Sequence, residues 1–208
     1  MRAVVADLST QRYLWTRVAG RVRDDAGWQR FGLLSLRDIP EPTLPAADGW
    51  VRVAPELAGV CGSDVGLAHA KLSLTLSAYF TAPRAVPGHE VVGRVVEVGP
   101  GPSSLDVGDR VVLDPVLSCR HRGFTPVCAT CAAGRPYACE RFDVPGVTGC
   151  RSPGQGFDMA VGGGWSEQLI AHESQLFPVP DELASRRAVL AEPASIALHA
   201  ALRWSGQG

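Results

Sequence analysis

The spacing of four cysteines restricts the fold of this chain more than any other feature of its sequence. Cys128 and Cys131 form a CxxC pair, which Cys119 precedes and Cys139 follows. Two cysteines separated by two residues can bind one ion from a tight turn, and four thiolates close a tetrahedral zinc site that leaves no position for a substrate. We therefore predict a structural zinc lobe over about residues 115–142. Scattered reduced thiols are the alternative, and disulfides are disfavoured because the N-terminal residues carry no export signal.

Composition favours a β-rich globular protein. The 208 residues include 23 glycines and 16 prolines, which indicate many turns. The net charge of -1 gives no field that would attract nucleic acid or an anionic membrane. No apolar run approaches the ~18–20 residues of a membrane span, and the first residues lack the apolar segment of a signal peptide. We expect a cytoplasmic protein without nucleic-acid or membrane partners.

Hydrophobic periodicity predicts a mainly β, α+β fold with short helices. Alternating residues predict strands at about 3–6, 33–39, 50–58, 91–98, 110–113 and 164–171. In the strand at 50–58, Arg52 is expected to face solvent. Helical segments are predicted at about 64–70, 182–190 and 193–203. We interpret 9–31 as an insertion or hairpin, 71–86 as an irregular wall or lid near a cleft, and 144–163 as holding one strand at most.

Cys61, His89 and Glu90 form a second candidate ligand set. The strand at 50–58 brings Cys61 to its end, and the His-Glu pair precedes the next apolar run. A thiolate, an imidazole and a carboxylate suit a zinc ion with an open position. Adjacent strand residues point to opposite faces, so both members of the pair can face one ion only if Pro87-Gly88 bends the chain. A hydrogen-bonded core histidine is the alternative for His89.

Glu192 is a further candidate ligand, since it is an acid within an apolar stretch. The alternative is a carboxylate that interacts with the positive end of a helix dipole.

In chain order, these motifs together resemble the zinc-containing medium-chain alcohol and polyol dehydrogenases. The motifs are Gly59-Val60-Cys61-Gly62-Ser63-Asp64, Pro87-Gly88-His89-Glu90-Val91-Val92-Gly93, residues 107–111, the cysteine lobe, residues 163–167 and residues 192–200. The resemblance spans about residues 1–208, with insertions near 9–31 and 150–163. It implies a GroES-like, partly open β-barrel with a zinc-binding lobe. Residues 1–190 would form the catalytic domain, and 191–208 would begin the helix that links it to a Rossmann domain.

The same resemblance implies roles for individual residues. Cys61, His89 and Glu192 would bind a catalytic zinc ion, and Glu90 would bind it or exchange with water. Ser63 would pass the proton of the substrate, and Asp64 would orient the His89 ring. A second, structural zinc would be bound by Cys119, Cys128, Cys131 and Cys139. The implied activity is oxidation of a small alcohol or polyol with NAD(P), in a protein that can form a homo-oligomer.

Three features depart from the pattern of that family. Gly66 stands where a relay histidine is common; His69 lies one turn further on, and we interpret it as a surface residue. Eight residues separate Cys119 from Cys128 where the family has two, and Cys150 is expected to be a buried thiol rather than a replacement ligand. No GxGxxG turn occurs, so we expect a chain truncated before its cofactor domain. A zinc-binding GroES-like module without catalysis, or a gene remnant, is the alternative.

Overall fold

Two antiparallel sheets form the framework of the computed structural model, which describes residues 1–73 and 81–206. The smaller sheet has the order β2-β1-β4 and consists of β1 (Arg2–Asp7), β2 (Leu34–Asp38) and β4 (Arg84–Ala85). The larger has the order β7-β3-β5-β6-β8 and consists of β3 (Trp50–Ala58), β5 (Val91–Val98), β6 (Arg110–Leu113), β7 (Leu169–His172) and β8 (Leu176–Pro178).

Short helices connect these strands. They are α1 (Thr10–Ala19), α2 (Gly62–Ala68), α3 (Ala129–Ala132), α4 (Ser185–Ala188) and α5 (Ala191–Trp204), with 3₁₀ turns at Ala26–Trp28, Pro136–Ala138 and Glu173–Gln175. The predicted fold class is confirmed: the chain is mainly β with short helices and has a GroES-like, partly open barrel. Of the predicted lid, residues 74–80 lie outside the described residues. Across the described chain, no helix is long and apolar enough to cross a bilayer.

The main core covers one face of the larger sheet. Val51 and Val53 of β3 point into it beside Val91 and Val95 of β5, as the two-residue period requires. Arg52 points to the other face, but the prediction that it faces solvent is wrong because the residue is only 9% exposed. Its Nε donates to Glu97 at 2.7 Å and its NH1 donates to the Pro42 carbonyl at 2.9 Å.

The N-terminal segment is not a hairpin; that it is an insertion stays a prediction. Residues 9–31 instead contain α1 and the 3₁₀ turn Ala26–Trp28. Tyr13 and Thr16, three residues apart, form the buried face of α1, and Tyr13 packs in a core cluster with Leu67 of α2. The helix was not predicted because only one narrow face of it is buried.

Arg122 fixes the segment at 144–152, through which the chain leaves the cysteine lobe and returns to the larger sheet. Its side chain is fully buried and donates to the carbonyl oxygens of Val144, Cys150 and Ser152. Further along, the strand predicted at 164–171 begins only at Leu169. Before it, the backbone N–H groups of Gly164 and Trp165 donate to the carbonyls of Gly88 and Pro87, at 2.8 Å and 3.0 Å.

Candidate metal centres

The structure brings Cys61, His89 and Glu90 together, with one potential ligand atom from each within 4.8 Å of the others. Cys61 is the N-cap of α2, directly beyond the end of β3. The His-Glu pair precedes β5. Because β3 and β5 are antiparallel neighbours, with Ala58 opposite Val91, the end of one strand lies beside the start of the next.

A bend at Gly88 allows both members of the His-Glu pair to approach one point. Gly88 has φ +93, in the left-handed region that favours glycine. His89 and Glu90 lie outside β5, so the alternation of a regular strand does not separate their side chains.

The burial of these groups fits a metal ligand set. His89 and Glu90 are 7% and 9% exposed. His89 Nδ1 is buried and has no hydrogen-bond partner among the described residues, and the same holds for Ser63 Oγ. Buried polar atoms are almost always hydrogen-bonded, so an unpaired ring nitrogen in a residue grouped with a thiol and a carboxyl is typical of a metal ligand. The donor set fits zinc.

The four lobe cysteines form the second group, in which the Sγ atoms also lie within 4.8 Å of one another. Cys119 Sγ lies 3.6 Å from Cys139 Sγ and accepts a hydrogen bond from the Cys128 backbone N–H. Cys119 thus joins the cluster despite its unusual spacing.

The four thiols of the lobe lie so close together that all of them can ionise only if a cation compensates their charge. Burial raises the pKa of the Cys119 thiol, and it raises the pKa of Cys131 to about 12. A hydrogen bond from the Thr130 hydroxyl lowers the pKa of Cys128 to about 5. Four adjacent thiolates repel one another, and a divalent cation at their centre would remove that cost. The cluster therefore fits a structural zinc ion.

Comparison with known proteins identifies the family of this chain. Residues 47–181, which include every cysteine of the chain, match the alcohol dehydrogenase GroES-like domain. The chain belongs to this family.

Three relatives illustrate the GroES-like family. An uncharacterized zinc-type alcohol dehydrogenase-like protein of Haemophilus influenzae is 37% identical over 167 residues, 79% of this chain and 41% of its own length. The structure of 2R,3R-butanediol dehydrogenase from Bacillus subtilis matches with TM-score 0.59 and 28% identity, over 81% of this chain and 43% of that one. The short chain alcohol dehydrogenase rspB of Escherichia coli CFT073, complexed with NADH, gives the same two values over 95% and 44%.

The chain spans less than half the length of these three proteins. Its relatives are zinc-type alcohol and polyol dehydrogenases, which supports zinc and NAD(P) as cofactors of the family.

Glu192 lies near the first group of this GroES-like domain but is not part of it. It is half-buried in the first turn of α5 and lines a cavity of about 710 Å³. Burial raises the pKa of its carboxyl, His89 opposes that shift, and Glu90 and Asp114 add to it. The carboxyl of Glu192 is thus close enough to His89 and Glu90 for their charges to affect its pKa. Its role as a ligand stays a prediction.

Asp64 has a clear structural role at the N-terminus of α2. Its carboxylate accepts a hydrogen bond from the Cys61 backbone N–H at 2.9 Å, and it is 1% exposed. This contact fixes the backbone that carries the Cys61 thiol. Its predicted action on the His89 ring stays a prediction.

The remaining predicted residues fall outside both groups. Cys150 is fully buried, as predicted, and burial raises the pKa of its thiol. His69 is the half-buried C-cap of α2.

Sequence reasoning missed one residue at the first group. Phe157 stacks on His89 with ring centroids 5.1 Å apart and an interplanar angle of 29°. Residues 144–163 have no periodic pattern, so nothing in the sequence pointed to this contact.

Proposed function

We propose that this GroES-like domain holds the catalytic zinc of a dehydrogenase that oxidises an alcohol or polyol to a carbonyl compound with NAD(P). The observation that carries the proposal is the convergence of the Cys61, His89 and Glu90 ligand atoms within 4.8 Å. The relatives support it: one is a zinc-type alcohol dehydrogenase-like protein, one a butanediol dehydrogenase and one is complexed with NADH.

In this proposal the residues of the first group have distinct roles. Cys61 and His89 hold the ion, with Glu90 as third ligand or in exchange with water and Glu192 as a further ligand. A zinc ion held by these residues would supply polarisation of the alcohol oxygen, which would lower its pKa, and a nicotinamide would supply the hydride acceptor.

Ser63 is the proton carrier of the proposed reaction. Its buried Oγ has no hydrogen-bond partner among the described residues and is therefore free to accept the alcohol proton and donate its own. Asp64 fixes the backbone of Cys61 through the 2.9 Å hydrogen bond and so orients the ligand thiolate.

The second zinc ion is structural in this proposal. Cys119, Cys128, Cys131 and Cys139 fill its four positions, so no substrate can bind there. The chain then holds two zinc ions.

The domain boundaries and the setting belong to the same proposal. Residues 1–190 form the catalytic domain, and 191–208 begin a linking helix. The apolar Ile196 and Leu198 are 63% and 60% exposed, which favours burial by a further domain or a second copy in a homo-oligomer. Six unpaired cysteines suit a reducing, cytoplasmic setting.

Metal analysis of the purified protein tests the proposal. We expect close to two zinc ions per chain in the wild type and close to one in Cys61→Ser, because the thiolate is a principal ligand. Cys150→Ala is the matched control: its thiol lies outside both groups, so it should keep two. An unchanged zinc content in Cys61→Ser would refute the proposed catalytic site.

A further inference from the structure

We propose that Phe157 is a positioning residue for His89, whose imidazole it holds in the orientation needed to bind the metal. This inference rests on the zinc site of the proposed function. The two rings are 5.1 Å apart between centroids and inclined by 29°, so they lie nearly face to face.

The stack adds to the usual means of fixing a ligand histidine. Proteins usually restrict the rotation of such a ring with a hydrogen bond at the nitrogen that does not bind the metal. Among the described residues, no hydrogen bond holds His89 at Nδ1. A face-to-face aromatic contact limits the same rotation, because turning the imidazole out of the plane drives its edge into the neighbouring ring.

The segment that carries Phe157 lies directly against the bend before His89. Gly156 has φ +84, and a Cβ on it would lie 2.9 Å from the Gly88 carbonyl oxygen and 3.3 Å from His89 Cβ. Glycine at 156 therefore allows the close approach that brings the phenyl ring over the imidazole. The N–H of Gly164 donates to that same Gly88 carbonyl at 2.8 Å, which ties down the other end of the segment.

Phe157 is itself supported from behind. With Trp165 it packs against the core cluster of Ala6, Tyr13, Leu33, Leu34, Leu67, Ala70 and Ala85. Tyr13 belongs to α1 and Leu67 to α2, the helix that begins next to Cys61. The two segments without a predicted function, 9–31 and 150–163, thus contribute to one core cluster on the side of Phe157.

Zinc affinity and the environment of the His89 ring test the proposal on three variants. F157L removes the aromatic ring but keeps an apolar side chain, and F157Y keeps the ring. F31L is the matched control, because Phe31 contacts the Trp15 ring at 6.2 Å instead of a candidate ligand. Zinc is titrated against a chromogenic chelator, and the transition absent from Cys61→Ser is assigned to the His89 site. NMR of the metal-free protein reports the ring-current shift of the His89 ring protons.

We expect F157L to weaken zinc binding in the Cys61-dependent transition about tenfold, the size typical of residues that support a ligand. F157Y and F31L should stay within about threefold of wild type, and the affinity of the cysteine lobe should not change. The upfield shift of the His89 ring protons should disappear in F157L and persist in F157Y.

Three outcomes would overturn the proposal. Wild-type affinity in F157L would show that the stack does not matter, and equal losses in F157L and F157Y would show that the ring is not the cause. Weaker binding at both sites in F157L would indicate a general packing role. Absence of a Cys61-dependent transition in the wild type would refute the proposed catalytic site itself.

Discussion

Among single residues, Arg122 has the largest structural effect that we expect outside the metal ligands. The fully buried Arg122 guanidinium donates to three backbone carbonyls, and its hydrogen bonds to Cys150 and Ser152 are buried. Removing it leaves those carbonyls unpaired, and each buried unpaired group costs about 1–3 kcal/mol. The Arg122 side chain thus links the cysteine lobe to residues 144–152, which lead to Phe157.

We predict that Arg122→Met lowers the free energy of unfolding by about 2 kcal/mol or more, since two buried carbonyls lose their donor. Arg122→Lys should recover part of this, because a lysine cannot reproduce the fork of donors. Urea denaturation of the zinc-loaded protein measures both. Arg23→Met is the control and should leave the midpoint unchanged, because Arg23 pairs only with Asp25 at the surface. Equal midpoints for Arg122→Met and Arg23→Met would contradict this role.

At the scale of residues, the sequence identifies candidate site residues that stand in short motifs. It does not reveal contacts between residues that are far apart in the chain. Cys61, His89 and Glu90 could be grouped because each stands in a short motif at a strand end. The Phe157 stack depends on the path of a segment that has no regular structure. Arg122 was missed for the same reason, since its three acceptors lie 22 to 30 residues further along the chain.

Among the elements, the cysteine lobe is the part whose stability depends most on a metal. α3 has four residues and the adjacent 3₁₀ turn has three, too few for independent stability. Structural zinc sites supply ~10–16 kcal/mol of apparent binding free energy.

We predict that chelation of zinc unfolds this lobe while the larger sheet persists. Alkylation followed by mass spectrometry should then label Cys119, Cys128, Cys131 and Cys139 quickly. Cys150 is the internal control and should stay protected, since it packs with Trp50 and Ile170 of the sheet. Alkylation of Cys150 at the same rate would show that zinc stabilises the whole chain.

The strands show where the two-residue period is sufficient and where it is not. The predictions at 91–98 and 110–113 match β5 and β6, which lie inside the larger sheet and bury one face. Pairing with β3 starts only at Leu169, because the backbone at 165–167 is hydrogen-bonded to Arg2 and Val4 of β1. β8 was not predicted, since its three residues at the sheet edge are too few for a pattern.

At the scale of the molecule, the described chain contains the candidate zinc site of the proposed reaction but not a recognisable site for its nucleotide cofactor. It contains the candidate ligand set of Cys61, His89 and Glu90 and the serine proposed as proton carrier. It has no GxGxxG turn at the start of a helix, the feature that holds the pyrophosphate of a dinucleotide.

We predict no saturable binding of NADH or NADPH to the zinc-loaded 208-residue chain in isothermal titration calorimetry. The reason is that phosphate recognition needs backbone N–H groups presented by such a turn. The NADH-binding rspB protein of Escherichia coli is the positive control. Saturable binding by this chain would contradict the expectation and place a nucleotide site within these residues.

β7 pairs with β3 but lies more than 100 residues later in the chain, so the sheet around the candidate site is completed late during synthesis. β3, Cys61, His89 and β5 leave the ribosome early and can pair as neighbours. Phe157, the Gly164 contact to Gly88 and the β7 partner of Trp50–Val53 follow many residues later. At ~5–20 residues per second, Cys61 and His89 are made several seconds before Phe157. In that interval the strands that carry the candidate thiol and imidazole can pair, while the ring proposed to orient the imidazole is not yet present.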